Sequence, residues 1–402
     1  MKIFIATGFY SGTTKKFYSD FPNFKEYPFE KQRQEINKRF SIWGYGWEAA
    51  FQKLGFTTYS VPVNSTHLQM QWAKENLNGE VLLQEILLQQ ILLFQPDILW
   101  YDYFDINLLK KIKEKIPSIK LIVGWSGSAI PPVAVLKEVD LVLSCAPETV
   151  NILSQQGLSI EHIHHAFNPT PIQYIVPTGK KHLITFVGQI VRGKEYHNYR
   201  EKLLVSISKN YDLSIFSPNY NTSIIQIGKS IVKKIISEAL RSGTRATLLN
   251  RFFPGNTFFS KFVNTKYHWL PFDVALRKKM HPHVFGYEMY QVIRDSEIVL
   301  NVHADSSPEY ASNMRLFETT GVGSCLLTDY RQNLPELFRS NDEVMSYKNE
   351  SECLEKIDWL IENEDERIKI ASAGKQRTFS EHLFDHRVSA VYGIFRKYLK
   401  RY

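Results

Sequence analysis

Short apolar runs rich in β-branched residues alternate with helical periods along the first half of the chain. In the run 81–94, apolar pairs recur every four or five residues at 82/83, 86/87 and 91/92, which predicts a helix that ends before Pro96. The other predicted elements are strands at 2–6, 57–61, 97–101, 120–125, 141–145 and 162–165 and helices at 43–54, 107–116 and 146–156. This alternation is typical of an α/β protein whose parallel strands are joined by crossover helices.

A second series of the same kind follows a proline-rich stretch at 168–179. Its predicted elements are strands at 182–187, 213–216, 298–302 and 324–328 and helices at 199–209, 313–320, 351–362 and 367–378. We therefore expect an N-terminal Rossmann-like domain at 1–178 and a C-terminal domain at 179–388. Two such domains facing across a cleft bind ligands at the carboxyl ends of their strands.

Composition restricts the class of protein. The chain has 402 residues, of which 44% are hydrophobic and 22% charged, as in ordinary globular domains. The longest apolar run, 81–94, is too short and too polar to span a bilayer, and the N-terminus has no signal-peptide core. The three cysteines stand at unrelated spacings and indicate neither a disulfide framework nor a zinc site. We expect a cytoplasmic protein.

The net charge of +8 is concentrated in one segment. Residues 219–283 contain eleven Lys or Arg and two acidic residues, a balance of +9, which leaves −1 for the rest of the chain. Nine aromatic residues lie in the same segment. Three interpretations stay open: an anionic membrane surface, single-stranded nucleic acid (the least favoured of the partners), or a solvated helix over a local aromatic core.

The clearest candidate chemistry lies in the run 312–329, which is a predicted helix followed by a strand. Free N–H groups at a helix start favour a phosphate, and Arg315 adds a bidentate donor there. Glu318 follows on the same helical face, where a carboxylate can accept hydrogen bonds from ribose hydroxyls. An anion clamp beside a diol acceptor indicates a nucleotide-diphosphate site. The alternative is an exposed ion pair between residues three apart.

Several segments in order carry a resemblance to a known family; they are 286–290, 298–303, 313–318, 326–329, 334–338 and 370–374. Together they resemble the C-terminal domain of the CgeB-like glycosyltransferases, which have the GT-B fold of two Rossmann-like domains. The resemblance implies that a last helix at 389–402 packs back on the first domain. The resemblance implies that Glu318 contacts the nucleotide ribose and Arg315 the diphosphate. Related retaining enzymes have a glutamate seven residues earlier, where this chain has Ala311, so the stereochemistry stays open.

The resemblance adds further candidates for donor binding. Gly188 matches the phosphate-facing turn after the first strand of the C-terminal domain. Arg192 and Lys194 are cations in the loop that follows it, and Asn313 belongs to the same motif as Arg315.

Candidates for catalysis and acceptor contact follow the predicted strands. An inverting transferase needs a general base, and Asp102 and Asp105 come directly after a strand of the N-terminal domain. The alternative for Asp105 is to cap the next helix. His303 ends a strand of the second series, with a satisfied strand-end histidine as its alternative. Gly8 and Ser126, each close to the end of a strand, are candidates for acceptor or cleft contact.

The function that the resemblance implies is transfer of a sugar from a nucleotide-sugar donor to a glycan or lipid-linked glycan acceptor. The pathway would be cell-surface polysaccharide synthesis, in the cytoplasm or peripherally at the inner face of the membrane. No cofactor or metal is expected, because the chain has no Asp-x-Asp motif. The alternatives are a nucleotide-sugar epimerase, a non-catalytic sugar-nucleotide-binding protein and a DNA-base glycosyltransferase.

Overall fold

A computed structural model describes residues 1–10, 12–41, 43–79, 81–127, 129–190, 198–220, 232 and 274–399. The strands are β1 (Lys2–Thr7), β2 (Thr57–Pro62), β3 (Ile98–Tyr101), β4 (Leu121–Ser126), β5 (Leu141–Ser144), β6 (Ile160–His162), β7 (His182–Val187), β8 (Leu213–Phe216), β9 (Met280–His281), β10 (Ser296–Asn301), β11 (Cys325–Asp329) and β12 (Met345–Tyr347).

The α-helices in the described part of the chain connect these strands. They are α1 (Thr13–Asp20), α2 (Phe29–Phe40), α3 (Gly44–Lys53), α4 (Thr66–Asn76), α5 (Leu83–Phe94), α6 (Ile106–Lys115), α7 (Val133–Leu136), α8 (Pro147–Gln155), α9 (Asn198–Asn210), α10 (Val274–Lys278), α11 (Gly286–Arg294), α12 (Arg315–Val322), α13 (Leu334–Leu337), α14 (Glu350–Glu362), α15 (Glu364–Glu381) and α16 (Phe384–Leu399).

The strands form two six-stranded sheets, as the alternation of strands and helices predicts. The first has the order β2-β1-β3-β4-β5-β6 and is parallel throughout. The second has the order β12-β11-β10-β7-β8-β9, with parallel pairing between β10, β11 and β12 and between β7, β8 and β9. In each sheet the loops after the strands therefore gather at one edge, which is where α/β proteins place their ligands.

The predicted strand that lies furthest from its observed position is the last one of the first sheet, β6. The expected strand at 162–165 lies instead at Ile160–His162. The reason is the length of its neighbour: His162 pairs with Ser144, the last residue of β5, so the ladder has no partner beyond that point.

The chain divides into two compact units. The first unit contains residues 1–180, 285–303 and 307–402, and the second contains 181–284 and 304–306. The predicted domain boundary at 178/179 stays a prediction.

In the first unit the last helix, α16, packs against the first sheet. It begins at Phe384, five residues before the predicted start. Phe384, Val388, Val391, Phe395 and Tyr398 join one apolar core with residues from β1, α3, β3, β4 and β5. The rings of Phe395 and Phe51 stack with centroids 5.8 Å apart. Burial of this many apolar side chains holds the terminal helix to the sheet.

A glycine fixes the start of α11, the helix beside α12. Gly286 has φ +50°, and a Cβ there would lie 2.2 Å from the carbonyl oxygen of Arg39. Both the left-handed conformation and the close backbone approach require glycine. The motif segment 286–290 therefore has a packing role at the contact between α2 and α11.

In the second unit, the sheet strands are β7, β8 and β9, and α9 connects β7 to β8. Arg200 on α9 donates from Nη1 to the carbonyl oxygen of Gln189 at 2.7 Å, and its guanidinium lies over the ring of Phe186. Most of the basic segment, residues 221–231 and 233–273, lies outside the described residues. Across the described ranges, no helix has the length and apolar character needed to cross a membrane.

Candidate functional site

The N-terminal turn of α12 brings Arg315 and Glu318 into contact. Arg315 Nη1 lies 2.8 Å from Glu318 Oε2 and also donates to the sulfur of Met289 at 3.0 Å. Glu318 is only 2% exposed, so this is a buried ion pair rather than the exposed one considered above. The second carboxylate oxygen, Oε1, and the Nε of Arg315 have no hydrogen-bond partner among the described residues.

Contacts within the described part of the protein satisfy this buried pair only in part. Burial raises the pKa of Glu318, and the charge of Arg315 offsets this only in part. A buried polar atom without a partner costs about 1–3 kcal/mol, so native proteins rarely leave one unpaired. The free Oε1 can accept a hydroxyl hydrogen bond, and the free Nε can donate to an oxygen of a bound ligand.

Tyr10 and Asp102 belong to the same neighbourhood, within the first unit. Tyr10 follows β1 and is 69% exposed, and its ring stacks on that of Phe285 with centroids 6.4 Å apart. Although the ring is largely exposed, partial desolvation by the surrounding protein raises the pKa of Tyr10; the charges of Glu318 and Asp102 raise it further, and that of Arg315 lowers it. Tyr10 thus lies within electrostatic reach of Glu318, Arg315 and Asp102.

Asp102 has the electrostatics of a base. Its half-buried carboxylate accepts a hydrogen bond from Thr7 Oγ1 at 3.3 Å. Burial raises the pKa of Asp102 to about 7, although the hydrogen bond from Thr7 lowers it in part. A base with a pKa near the operating pH is well matched to proton transfer.

Asp105 caps the helix that follows it. Its Oδ1 accepts hydrogen bonds of 3.0 Å from the backbone N–H groups of both Asn107 and Leu108 at the start of α6. This is the capping role given above as its alternative, and it leaves Asp102 as the stronger of the two carboxylates.

His303, just after β10, forms a buried pair with Asp329 at the end of β11. The ring Nδ1 lies 2.6 Å from Asp329 Oδ1, and the backbone N–H of His303 donates to the same carboxylate at 3.1 Å. Burial acts to raise the pKa of Asp329, but His303 and Arg331 together lower it. His303 Nε2 is buried and has no partner among the described residues. The carboxylate orients the ring so that Nε2 is the nitrogen left for a ligand.

Asn313 lies close to the same strand ends. Its Nδ2 donates to Asn301 Oδ1 at 2.9 Å, and Asn301 Nδ2 in turn donates to Thr328 Oγ1 at 2.9 Å. This chain of amides ties the loop before α12 to β10 and β11. Its evident role is to position the start of α12.

The remaining predicted residues are placed as follows. Gly8 is exposed directly after β1, and Ser126 is the last, buried residue of β4. Gly188 lies in the second unit, where its N–H donates to the carbonyl oxygen of Phe216. Arg192 and Lys194 lie outside the described residues, so their predicted roles, like that of Gly188, stay predictions.

Sequence reasoning missed Tyr10, Met289 and Asp329 as members of these clusters. The only feature of the sequence that could have identified Tyr10 is its position between Gly8 and Gly12, the two glycines that follow the first strand. Asp329 is the last residue of the run 312–329. Its role could not be predicted from the sequence, because only the pairing of β10 with β11 brings it beside His303. In the described part of the chain, no three His, Cys, Asp or Glu side chains gather in an arrangement that could hold a metal ion.

Comparisons with known proteins agree with this architecture. A family model described as glycosyl transferase-like matches residues 238–392. No curated protein sequence matches the chain. This match does not specify the CgeB-like family, so that finer assignment stays a prediction.

Solved structures share the whole fold at low sequence identity. A glycosyltransferase from Rickettsia africae ESF-5 is 12% identical with a TM-score of 0.51, over 100% of this chain and 99% of that one. Anabaena HepE, solved with UDP and glucose, is 9% identical with a TM-score of 0.54, over 99% and 100%. Sucrose-phosphate synthase from Thermosynechococcus elongatus is 8% identical with a TM-score of 0.51, over 100% of both chains. The predicted GT-B fold is thereby confirmed, and the chain carries a glycosyl transferase-like domain.

Proposed function

We propose that this chain is a glycosyltransferase that moves a sugar from a nucleotide-sugar donor to a glycan or lipid-linked glycan acceptor in cell-surface polysaccharide synthesis. The observation that carries the proposal is the buried Glu318–Arg315 pair, in which one oxygen and one nitrogen have no partner among the described residues. The glycosyl transferase-like model supports it, because its match includes both residues. The UDP and glucose held by HepE support the class of donor.

The pair has complementary roles in donor binding. The free Oε1 of Glu318 accepts hydrogen bonds from the ribose hydroxyls, which satisfies the buried carboxylate. Arg315 and the N-terminus of α12 face the diphosphate, whose negative charge they stabilise. Gly188, Arg192 and Lys194 stay candidates for phosphate contact on the sequence resemblance alone, and the proposal gives no role to a metal.

Asp102 is the proposed general base. It takes the proton of an acceptor hydroxyl as that oxygen bonds to the anomeric carbon of the donor sugar. The bond from that carbon to the diphosphate breaks, and the departing diphosphate keeps the electron pair and is stabilised by Arg315. Attack opposite the leaving group inverts the anomeric configuration. His303, oriented by Asp329, offers Nε2 as a hydrogen-bond acceptor for a substrate hydroxyl, and Asn313 positions α12.

Donor binding is tested by thermal shift of the full chain with UDP, GDP, dTDP, CMP and ADP, each beside a matching sugar nucleotide. One nucleotide class should raise the melting temperature of the wild type by several degrees at saturating concentration. Glu318→Ala should lose that rise. Glu362→Ala, an exposed carboxylate at the end of α14, is the matched control and should keep it. If Glu318→Ala responds like the wild type, Glu318 is not the ribose contact.

Product analysis separates transfer from epimerisation. With the stabilising sugar nucleotide, release of free nucleotide and a new glycosidic bond should both require an acceptor, and the bond should have the inverted configuration. A changed sugar nucleotide formed without acceptor would instead identify an epimerase.

A further inference from the structure

The segment that leads into α12 has an irregular backbone that other parts of the first unit hold in place. Residues 307–313 belong to no helix or strand, and α12 begins just beyond them at Arg315. The position of this segment therefore affects how the Glu318–Arg315 pair is presented to a ligand. Side chains from other elements hydrogen-bond to its backbone, and the most distant of them in the sequence is Glu148.

Glu148, in the first turn of α8, binds this segment through both of its carboxylate oxygens. Its Oε1 accepts hydrogen bonds of 3.1 Å from the backbone N–H groups of Glu309 and Tyr310. Its Oε2 lies 3.1 Å from Ser307 Oγ, whose hydroxyl can donate to it. The side chain of Glu148 is half-buried, and these three contacts, the Glu148 clamp, fix residues 307–310.

Two further side chains hold the same segment. Asn333 accepts from the N–H of Ala311 at 2.6 Å and donates to its carbonyl oxygen at 3.2 Å. Arg331 donates from Nη1 to the carbonyl oxygen of Pro308, and from Nη2 to Asp329 Oδ2 at 2.7 Å. Asp329 is the carboxylate that orients the histidine just after β10. The segment is thus connected both to α12 and to the histidine–aspartate pair.

The physical effect of these contacts is preorganisation. An irregular segment that is free to move must lose conformational freedom when a ligand fixes it, and that loss weakens binding. Arg331 and Asn333 follow β11, whereas Glu148 belongs to α8, which follows β5. Loss of Glu148 frees two N–H groups of 307–310 while Asn333 still holds Ala311. We therefore expect the segment to loosen without unfolding.

We propose that Glu148 is a positioning residue for donor binding: its clamp on 307–310 fixes the start of α12, and with it the geometry in which Arg315 and Glu318 meet the nucleotide diphosphate. The inference rests on the proposed function for the identity of the ligand. Glu148 acts through the segment, because the segment already uses both of its carboxylate oxygens. The reach of the side chain and its capacity to accept hydrogen bonds therefore matter at this position, and its negative charge does not.

Two conservative variants separate reach from charge. Glu148→Gln keeps the length of the side chain, so its oxygen can accept from both N–H groups and its NH₂ can donate to Ser307 Oγ. The hydrogen of that hydroxyl can then go to the carbonyl oxygen of Tyr310, 3.0 Å away. Glu148→Asp keeps the charge but is one methylene shorter, too short to keep all three contacts. Glu148→Ala removes the contacts, and Asn151→Ala, an exposed side chain on the same helix, is the matched control.

The first measurement is isothermal titration calorimetry of the full chain and its variants with UDP, GDP, dTDP and ADP. The diphosphate that binds the wild type should bind Glu148→Asp and Glu148→Ala roughly tenfold more weakly, because the ligand must then order the segment. Glu148→Gln and Asn151→Ala should bind it with an affinity within about threefold of that of the wild type.

The second measurement is hydrogen exchange of the unliganded proteins, read by mass spectrometry, which depends on no ligand. Peptides that cover 307–314 should exchange roughly tenfold faster in Glu148→Ala and Glu148→Asp than in the wild type, since two N–H groups lose their acceptor. Peptides from β1 and β3, in the interior of the first sheet, should exchange as in the wild type, which shows that the fold is intact. If Glu148→Ala does not fold, the comparison of Glu148→Asp with Glu148→Gln decides the question.

The outcomes separate this proposal from the proposed function. Equal donor affinity in the wild type and all variants would overturn the positioning role and leave the proposed function in place. Donor binding by Glu148→Gln as weak as that by Glu148→Ala would show that charge matters, and would also overturn it, as would weaker binding without faster exchange in 307–314. If no nucleotide binds the wild type, the proposed function fails and donor positioning fails with it; faster exchange would then leave Glu148 as a structural anchor only.

Discussion

Two buried arginine–glutamate pairs in the first unit differ in how completely they are satisfied. In one, Arg33 on α2 donates from Nη1 to both oxygens of Glu48 on α3, at 3.1 and 3.0 Å, and to the carbonyl oxygen of Ser60 at 2.8 Å. Its Nε and Nη2 bind Glu30 at 2.9 and 2.8 Å, and the backbone N–H of Ser60 donates to Glu48. Every nitrogen of that guanidinium and both carboxylate oxygens of Glu48 have partners.

In the other pair, Arg315 and Glu318 share one contact of 2.8 Å, and Oε1 and Nε stay without partners in the described part of the chain. Both glutamates are 2% exposed, and burial raises the pKa of both. The difference thus lies in hydrogen bonds rather than burial. A complete network stabilises the fold it joins, whereas an incomplete one has donor and acceptor atoms ready for a ligand.

The largest expected effect comes from breaking the complete network. Arg33→Leu leaves Glu48 buried without its counter-charge, which should lower the free energy of unfolding by about 3–5 kcal/mol. Urea denaturation at pH 7 measures it. Lys31→Leu, an exposed residue on the same helix, is the control and should change stability by less than about 0.5 kcal/mol. Similar midpoints for Arg33→Leu and Lys31→Leu would mean that the network has no structural role.

The second test changes both glutamates in the same way. Glu48→Gln places an amide NH₂ where an acceptor of several hydrogen bonds was, and should cost about 2–3 kcal/mol without ligand. Glu318→Gln gives up one charged contact but removes a partly unsatisfied buried charge, so it should cost less than about 1 kcal/mol. Urea denaturation of the two variants gives the comparison. If Glu318→Gln is destabilised as strongly as Glu48→Gln, the pair on α12 is structural and the donor proposal loses its main support.

The difference between apolar and polar buried faces also explains which elements of the fold can be predicted from the sequence. Strands with apolar, β-branched runs are predicted closely, and the bounds of β7 and β8 agree with the prediction to the residue. The helix α2 escapes prediction because its buried face includes Gln32, Arg33 and Asn37. Polar residues take half of the buried positions of this helix, and this weakens the apolar periodicity by which a helix is detected in a sequence.

For the candidate site, the sequence predicts what a local motif contains and misses what folding brings together. Arg315 and Glu318 are three residues apart and are recognisable on one helix face. Tyr10 and Asp102 reach the same neighbourhood only because β1 and β3 are adjacent in the first sheet.

The smallest expected change in stability concerns the charge of Asp102. Its pKa is about 7 in the folded protein against 3.8 for the free side chain, so the folded state holds its proton over a pH range in which the unfolded chain has lost it. The cost of ionising Asp102 in the folded state is absent below about pH 4, grows as the pH rises, and is complete above about pH 7. Asp102→Asn cannot ionise and avoids that cost.

Thermal melts of Asp102→Asn and the wild type at pH 4.5, 6 and 8 therefore test whether the ionised carboxylate of Asp102 lowers the stability of the fold. The variant should melt close to the wild type at pH 4.5 and a few degrees higher at pH 8.

Transfer by the wild type should lose about tenfold in kcat/KM for each pH unit below pH 7, because the base is protonated there. The variant should lose roughly 10²–10⁴-fold in kcat/KM at pH 8. Asp97→Asn is the control. Burial acts to raise the pKa of Asp97, but the hydrogen bonds that its carboxylate accepts from Lys120 and from the backbone N–H of Lys2 lower the pKa overall, so the stability difference of this variant should have the opposite sign. A melting difference for Asp102→Asn that is equal at all three pH values would show that Asp102 does not ionise in this range, and with it the assignment of a base near neutral pH would fail.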